Sequence, residues 1–228
     1  MVLTTTKCRR SYWCSPPLRA DKKQSKEEEE QSSSSCVILE SIEMIIEPNT
    51  KTDFYYVNGE YIEYLKQAEN ESRGFTCVPN VHYRRTEKFV FGTVLLIDDI
   101  PYFAPVTSYS KKQQDLILIK DKKTNKTLGS IRFNYMIPVP RDCLHRLNIA
   151  DLPTAQSIAH ASKELKFCRR SRDKIYKAAK TTYGRVMSRK YPELLKNSCD
   201  FELLEQKYYE FIEMMNEYES ASQAPIIL

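Results

Sequence analysis

The stretch Lys88–Lys112, KFVFGTVLLIDDIPYFAPVTSYSKK, constrains this chain more than any other. Two apolar runs, Lys88–Ile97 and Ile100–Val106, are separated only by Asp98-Asp99. So short a polar break predicts an antiparallel hairpin. The first run is nearly continuous in apolar residues, as a central strand requires. The second holds Pro101 and Pro105 near its ends, where proline costs least. Such a hairpin returns the end of its second strand to the start of its first. Lys88 opens the first strand, while Thr107-Ser108 and then Lys111-Lys112 follow the second. A cation and hydroxyls held together on a rigid sheet edge are equipped to bind a phosphate.

The flanking segments fill in an α+β pattern. Phe54–Val57 reads as an aromatic strand. Asn58 is placed to cap a helix over Glu60–Glu69, with Tyr61, Tyr64, Leu65 and Ala68 at helical spacing. Residues 71–86 read as a loop ending in His82-Tyr83-Arg84-Arg85. After the hairpin come strands at Asp115–Lys120 and Leu128–Phe133, joined by the polar turn Asp121–Thr127, and a short strand at Met136–Val139. The simplest arrangement is a meandering, curled antiparallel sheet. The last third is helical. Thr154 caps a helix whose stripe is Ile158, Ala161, Leu165 and Cys168, carried onward by Ile175, Ala179 and Tyr183. Pro192 closes a short segment. Asp200 caps Phe201–Tyr218, with Phe201, Leu204, Tyr208, Phe211, Ile212 and Met215 on its apolar face. Residues 1–43, with Pro16-Pro17, the run Lys26–Glu30 and Ser32–Ser35, have the composition of a disordered extension. Met44 offers an internal start, so residues 44–228 are expected to form the one folded domain.

Charge narrows the function. Residues 141–199 hold 14 basic and 5 acidic residues, net +9, whereas residues 200–228 hold 1 basic and 7 acidic, net −6. A basic block of this kind attracts phosphate backbones. Arg84, Arg85, Lys111, Lys112, Arg169, Arg170, Arg172 and Lys174 are the expected RNA contacts. Seven cysteines without a CxxC pair, and three scattered histidines, fit neither a disulfide framework nor a zinc site. The longest apolar run, Phe89–Ile97, is far short of a membrane span, and the first residues lack a secretory h-region. A soluble cytoplasmic protein is expected.

No GxxxxGK or GxGxxG loop is present, and no carboxylate cluster has metal-ligand spacing. Taken singly, the polar residues have ordinary roles: Thr107 or Ser108 as a turn cap, Tyr61 as a core aromatic, Lys88, Tyr83, Arg84 and Arg85 as surface groups. Together they place hydroxyl, phenol and cation around one strand end. RNA supplies its own nucleophile, the 2′-hydroxyl. A protein need only align that hydroxyl, neutralise the phosphoryl oxygens and move protons. Ser108 is too weak a base unaided, so its expected role is phosphate contact or proton relay. A non-catalytic RNA-binding module would use the same groups.

Six blocks, in order and in register, resemble one family: FYYVNGEYIEYLK at Phe54–Lys66, KFVFGTVLLI at Lys88–Ile97, YFAPVTSYSKK at Tyr102–Lys112, LGSIRFNYMIPVP at Leu128–Pro140, SRDKIYKAA at Ser171–Ala179 and CDFELLEQKYYEF at Cys199–Phe211. From about Asp53 to Tyr218 the chain is similar to the ToxN/AbiQ/CptN toxins of type III toxin–antitoxin systems. The resemblance implies a curled antiparallel sheet of MazF/Kid-like mRNA interferase type, surrounded by helices. It implies a metal-independent endoribonuclease, without cofactor, that leaves 2′,3′-cyclic phosphate ends on target mRNA. It implies inhibition by a pseudoknotted antitoxin RNA that the toxin processes, in closed, triangular assemblies of three toxins and three RNAs, rather than by a protein antitoxin. A role in phage defence by abortive infection follows. By motif the active-site residues fall on Tyr61, Tyr83, Lys88, Thr107 and Ser108. The loop after Ser108 departs from the family's Thr-Ser-Pro-Lys-Lys form, because Tyr109-Ser110 precede the lysine pair. RNA repeats lie just upstream of such toxin frames, which fits an over-extended reading frame before Met44. A type II toxin held by a protein antitoxin is the competing reading within the toxin class.

Overall fold

The computed structural model describes residues 52–80, 82–83 and 86–222. The expected extension at 1–43 and the start at Met44 lie outside them. The central hairpin forms as its two-residue break requires. Strands β4 (Val90–Ile97) and β5 (Ile100–Thr107) pair antiparallel from Ile97↔Ile100 to Val90↔Pro105. Asp98 and Asp99 both take positive φ, 44° and 67°. That is the left-handed pair of a type I′ turn, whose twist matches the strands it joins.

Around this hairpin the other strands assemble by backbone pairing. They are β1 (Asp53–Val57), β2 (His82–Tyr83), β3 (Thr86–Glu87), β6 (Leu116–Lys120), β7 (Thr127–Arg132), β8 (Ile137–Pro138) and β9 (Leu144–Arg146). Among the described residues the main sheet is antiparallel, in the order β6-β7-β5-β4-β1-β9. The β7 strand pairs with β5 at Val106↔Ile131 and Thr107↔Ser130, and β8 pairs with β5 at Tyr102↔Pro138. A 3-10 turn at Phe133–Tyr135 separates β7 from β8. This is not the simple meander expected. The β6 strand does not lie beside β5; the β6–β7 pair docks with β7 innermost. Gly129, Ser130 and Ile131 in the middle of β7 are all buried, as suits a strand flanked on both edges, while β6 stands at the end of the sheet. The β2–β3 pair is a separate two-stranded ribbon leading directly to Lys88.

Helices pack against the sheet. Helix α1 (Gly59–Arg73) starts where Asn58 Oδ1 accepts from the Glu60 and Tyr61 N–H groups at 2.7 and 3.3 Å. A cap of this kind contributes about 1 kcal/mol. The helix runs one turn past the expected end at Glu69, to Gly74 at φ +75°. Polar anchors hold that turn: Arg73 donates to the Ser198 and Leu195 carbonyls at 2.9 Å each. Helices α2 (Ala155–Arg170) and α3 (Arg172–Met187) break at Ser171, and Thr154 caps α2 in a reciprocal pair with Ser157. Pro192 opens the short helix α4 (Pro192–Lys196) rather than closing a segment. Proline fits there because a first-turn N–H has no intrahelical partner.

Helix α5 (Phe201–Ser222) begins after Asp200, whose carboxylate accepts from Leu203 N–H at 3.4 Å. Its Glu205 Oε1 accepts from the Tyr102 hydroxyl at 2.6 Å and the Tyr183 hydroxyl at 2.9 Å, tying α5 to β5 and α3. Burial and this carboxylate push both phenols above their ordinary pKa. Met215, expected on the apolar face, is 40% exposed. No helix among the described residues is long and apolar enough to cross a membrane.

Candidate functional site

The β4–β5 register decides which polar groups meet. Val90 faces Pro105, and Val106 N–H donates to the Phe89 carbonyl at 3.3 Å. Continuing the ladder by two residues sets Lys88 opposite Thr107. On its other edge Thr107 faces Ser130, and their hydroxyl oxygens are 3.2 Å apart. One row therefore crosses three strands: Lys88, Thr107, Ser130. Lys88 and Ser108 are exposed, Thr107 is half-buried and Ser130 is fully buried. Thr107 Oγ1 also accepts from Tyr109 N–H at 3.4 Å, so this hydroxyl both caps the turn and joins the row.

Residues facing each other across strands share a face, and neighbours along a strand alternate. The Thr107–Ser130 face is therefore not the face covered by α2 and α3. A Cβ on Gly129 would meet Glu164 Oε1 of α2 at 2.7 Å, and Tyr183 of α3 meets the Tyr102 ring at 5.8 Å. Hence the basic helices and the hydroxyl row lie on opposite faces of the sheet. Arg169 is occupied: it donates to the Thr52 carbonyl and pairs with Asp53 Oδ2, both at 3.0 Å, beside the Arg146–Asp53 pair. It clips α2 to β1. Arg170, Arg172 and Lys174 are exposed, as are Lys111 and Lys112 in the loop after Ser108.

Tyr61 is set apart from the row. It is fully buried, and its hydroxyl donates to the Pro138 carbonyl at 2.9 Å. Its ring packs edge-on against Phe211 at 4.8 Å. Pro138 faces Tyr102, five residues along β5 from Thr107, roughly 17 Å at strand rise. Burial raises the phenol far above its ordinary pKa. This is the geometry of a core residue. Tyr83 pairs with Thr86 in the β2–β3 ribbon, which ends one residue before Lys88. Arg84 and Arg85 lie outside the described residues.

Two residues of the row's face escaped the sequence reading. Ser130 and Arg132 alternate with the buried Gly129 and Ile131 along β7. That alternation was the available signal; which strand β7 would join was not. A depression of about 460 Å³ on α1, lined by Glu63, Lys66, Gln67, Asn70 and Glu71, contains none of these groups. Among the described residues no group of three or more His, Cys, Asp or Glu side chains could hold a metal ion. Cys77, Cys143, Cys168 and Cys199 are free thiols.

The family model of the ToxN toxin of type III toxin–antitoxin systems matches residues 53–209. The chain belongs to the ToxN family. The match spans every element that builds the row, from β1 to the first half of α5. Endoribonuclease ToxN of Pectobacterium atrosepticum is 31% identical over 69% of this chain and 92% of its own length. Endoribonuclease AbiQ of Lactococcus lactis is 30% identical over 68% and 86%. The solved structure of AbiQ, described as a lactococcal anti-phage endoribonuclease of a type III system, superposes with a TM-score of 0.62 at 28% identity, covering 71% of this chain and 98% of that one. A second structure, from work on selective toxin inhibition by a non-coding RNA pseudoknot, gives 0.62 at 27% identity over 70% and 97%. The ToxN fold is therefore carried by residues 53–209, and the α+β antiparallel architecture is shared with these relatives.

Proposed function

We propose that this ToxN-family chain is an endoribonuclease that cleaves mRNA by attack of the 2′-hydroxyl on the adjacent phosphodiester, leaving a 2′,3′-cyclic phosphate and a 5′-hydroxyl. The carrying observation is the Thr107–Ser130 hydroxyl pair on one sheet face, with Lys88 just outside the end of β4, where the ladder extended leads, and Ser108 exposed beyond β5. Lys88 neutralises charge on the phosphoryl oxygens as it develops. Ser108 contacts the phosphate or relays a proton, and Thr107, steadied by Ser130, holds the turn that presents it. Tyr83, in the ribbon that leads into Lys88, completes the set of site residues. Tyr61 supports the fold beneath rather than touching RNA. The proton lost by the attacking 2′-hydroxyl equals the one gained by the leaving 5′-oxygen, and a relay through Ser108 carries it across, so the reaction is read as metal-independent and cofactor-free.

The antitoxin is a pseudoknotted RNA that the toxin itself processes, and toxin and RNA form a closed assembly, three of each. Exposed Arg170, Arg172, Lys174, Lys111 and Lys112, with Arg84 and Arg85, supply its phosphate contacts. The sheet curls as in MazF/Kid-like interferases, and residues 44–228 act as one toxin domain in the cytoplasm, in phage defence. Support comes from family membership and from relatives described as endoribonucleases and in connection with RNA pseudoknots. End-mapping of RNA cut by the purified protein, with the upstream repeat RNA as inhibitor, tests the reading. Cyclic phosphate ends that vanish in Lys88→Ala and Ser108→Ala are expected. Full cleavage by both variants would sink the site assignment, and salt-sensitive binding without cut ends would leave only an RNA-binding module.

A further inference from the structure

Strand β7 carries a second feature on the face of the hydroxyl row. Arg132 lies two residues from Ser130, so its side chain leaves the sheet on the same side, about 7 Å along the strand. Its guanidinium carbon sits 4.1 Å from the Tyr135 ring centroid and 5.2 Å from that of Tyr109. Tyr109 is the residue whose N–H donates to Thr107 Oγ1, so one residue touches both Thr107 and Arg132.

One nitrogen of this arginine, the buried Nε, is without a hydrogen-bond partner among the described residues. Arg73, Arg146, Arg169, Arg185 and Arg189 are each ion-paired with a carboxylate, and Arg132 is not among them. The side chain as a whole is only half-buried, so its charge can be met by an acceptor arriving from solvent. The two nearby rings restrict the orientation of the guanidinium. The two terminal amino groups, away from the buried Nε, present parallel N–H bonds that match the geometry of a phosphate.

We propose that Arg132 is a phosphate-binding residue of this site. It holds an RNA phosphodiester neighbouring the one at Lys88 and Thr107, with Tyr109 and Tyr135 as the clamp that orients it. Two contacts a nucleotide step apart would set the strand in register, so that the 2′-hydroxyl is aligned at one phosphate only. The inference rests on the ribonuclease reading of the row, and its test separates the two.

The full chain and its Arg132→Ala and Arg132→Lys variants are titrated with a 2′-O-methyl RNA oligonucleotide, which lacks the attacking hydroxyl, between about 50 and 200 mM salt. Cleavage of unmodified RNA is measured in parallel. Arg132→Ala is expected to flatten the plot of log K against log salt by about 0.7, one phosphate on a single strand. Arg132→Lys keeps the charge but not the fork, and is expected to keep the slope while cleaving about tenfold more slowly. Wild-type slope and cleavage in both folded variants would overturn the proposal and leave Arg132 a packing residue. Should Arg132→Ala fail to fold, wild-type cleavage by Arg132→Lys would overturn it alone. A wild-type protein that binds but never cuts would defeat the ribonuclease reading, while a flattened slope in Arg132→Ala would still uphold the phosphate contact.

Discussion

Replacing Glu69 should unfasten the loop that leads to the site. The Glu69 side chain is fully buried. Its Oε2 accepts from the Thr76 hydroxyl at 2.8 Å and from the Cys77 and Val78 N–H groups at 2.6 and 3.3 Å. Its Oε1 accepts from Asp200 N–H at 2.6 Å and from Arg73 at 3.2 Å. In Glu69→Ala, Val78 N–H keeps the Thr76 hydroxyl at 3.0 Å, and Arg73 keeps two carbonyls. Cys77 and Asp200 N–H keep nothing comparable. Two orphaned donors at about 1–3 kcal/mol each, and a severed charge-assisted bond, amount to about 4 kcal/mol. That is a large part of the roughly 5–15 kcal/mol typical of a domain. With a urea slope of about 2 kcal/mol/M, the unfolding midpoint should fall by about 2 M. Glu69→Gln is the sharper control. Whichever oxygen becomes the amide nitrogen, it meets donors, so about half the loss should remain. A midpoint shift under about 0.5 M for Glu69→Ala, or a fully stable Glu69→Gln, would refute the account.

Other substitutions separate fold from chemistry. Tyr61→Phe removes one hydrogen bond, to the Pro138 carbonyl, and should cost about 1 kcal/mol while RNA cleavage stays within about threefold; a hundredfold loss in the folded variant would put the phenol in the reaction. Gly92→Ala would set a Cβ 1.9 Å from Phe103 Cδ1, forcing a buried ring to move, and should lower stability by about 1–3 kcal/mol in a thermal melt. Asp121 is held down to about pKa 2, first by its hydrogen-bonded Lys163 and then by the Lys123 and Thr124 N–H groups. Because its folded pKa lies below the unfolded value of about 3.9, its contribution is present above about pH 4 and is lost as pH falls towards 2. Thermal melts of Asp121→Asn across that window should show a shallower loss than wild type.

The hairpin could be read from sequence because its information is local: two apolar runs and a two-residue polar turn dictate the pairing, and the pairing returns Thr107-Ser108 to the end of the sheet where Lys88 stands, although the two-residue bulge that sets their register was not legible. Helix starts at Asn58, Thr154 and Asp200 were equally local, each a side chain answering its own helix's N–H groups. What failed was non-local. Strand β9 is three residues, Leu144-His145-Arg146, two of them exposed, held by backbone bonds to β1 and by Arg146 on Asp53. No periodicity marks so short a strand. The last turn of α1 is fastened by Arg73 and Glu69 to segments over a hundred residues away, after the apolar stripe has ended. Ser130 and Arg132 sit in a strand that was foreseen, but their place beside Thr107 depends on β7, not β6, docking against β5. The basic helices were foreseen too, yet their side of the sheet was not.

The irregularity in β4 has a consequence for alignment. Between Gly92↔Phe103 and Leu95↔Tyr102, β4 advances three residues while β5 advances one. Thr93 and Val94 are thus a two-residue surplus. Ten residues run from Lys88 to the turn on one arm and eight from the turn to Thr107 on the other. Without the surplus being absorbed, Lys88 would come level with Tyr109, and Thr107 would face Val90. The bulge works as a vernier, correcting the arms from their middle so that their far ends agree. Length changes in this hairpin should therefore be tolerated only as a matched pair at the bulge, since a single deletion turns every side chain beyond it to the other face.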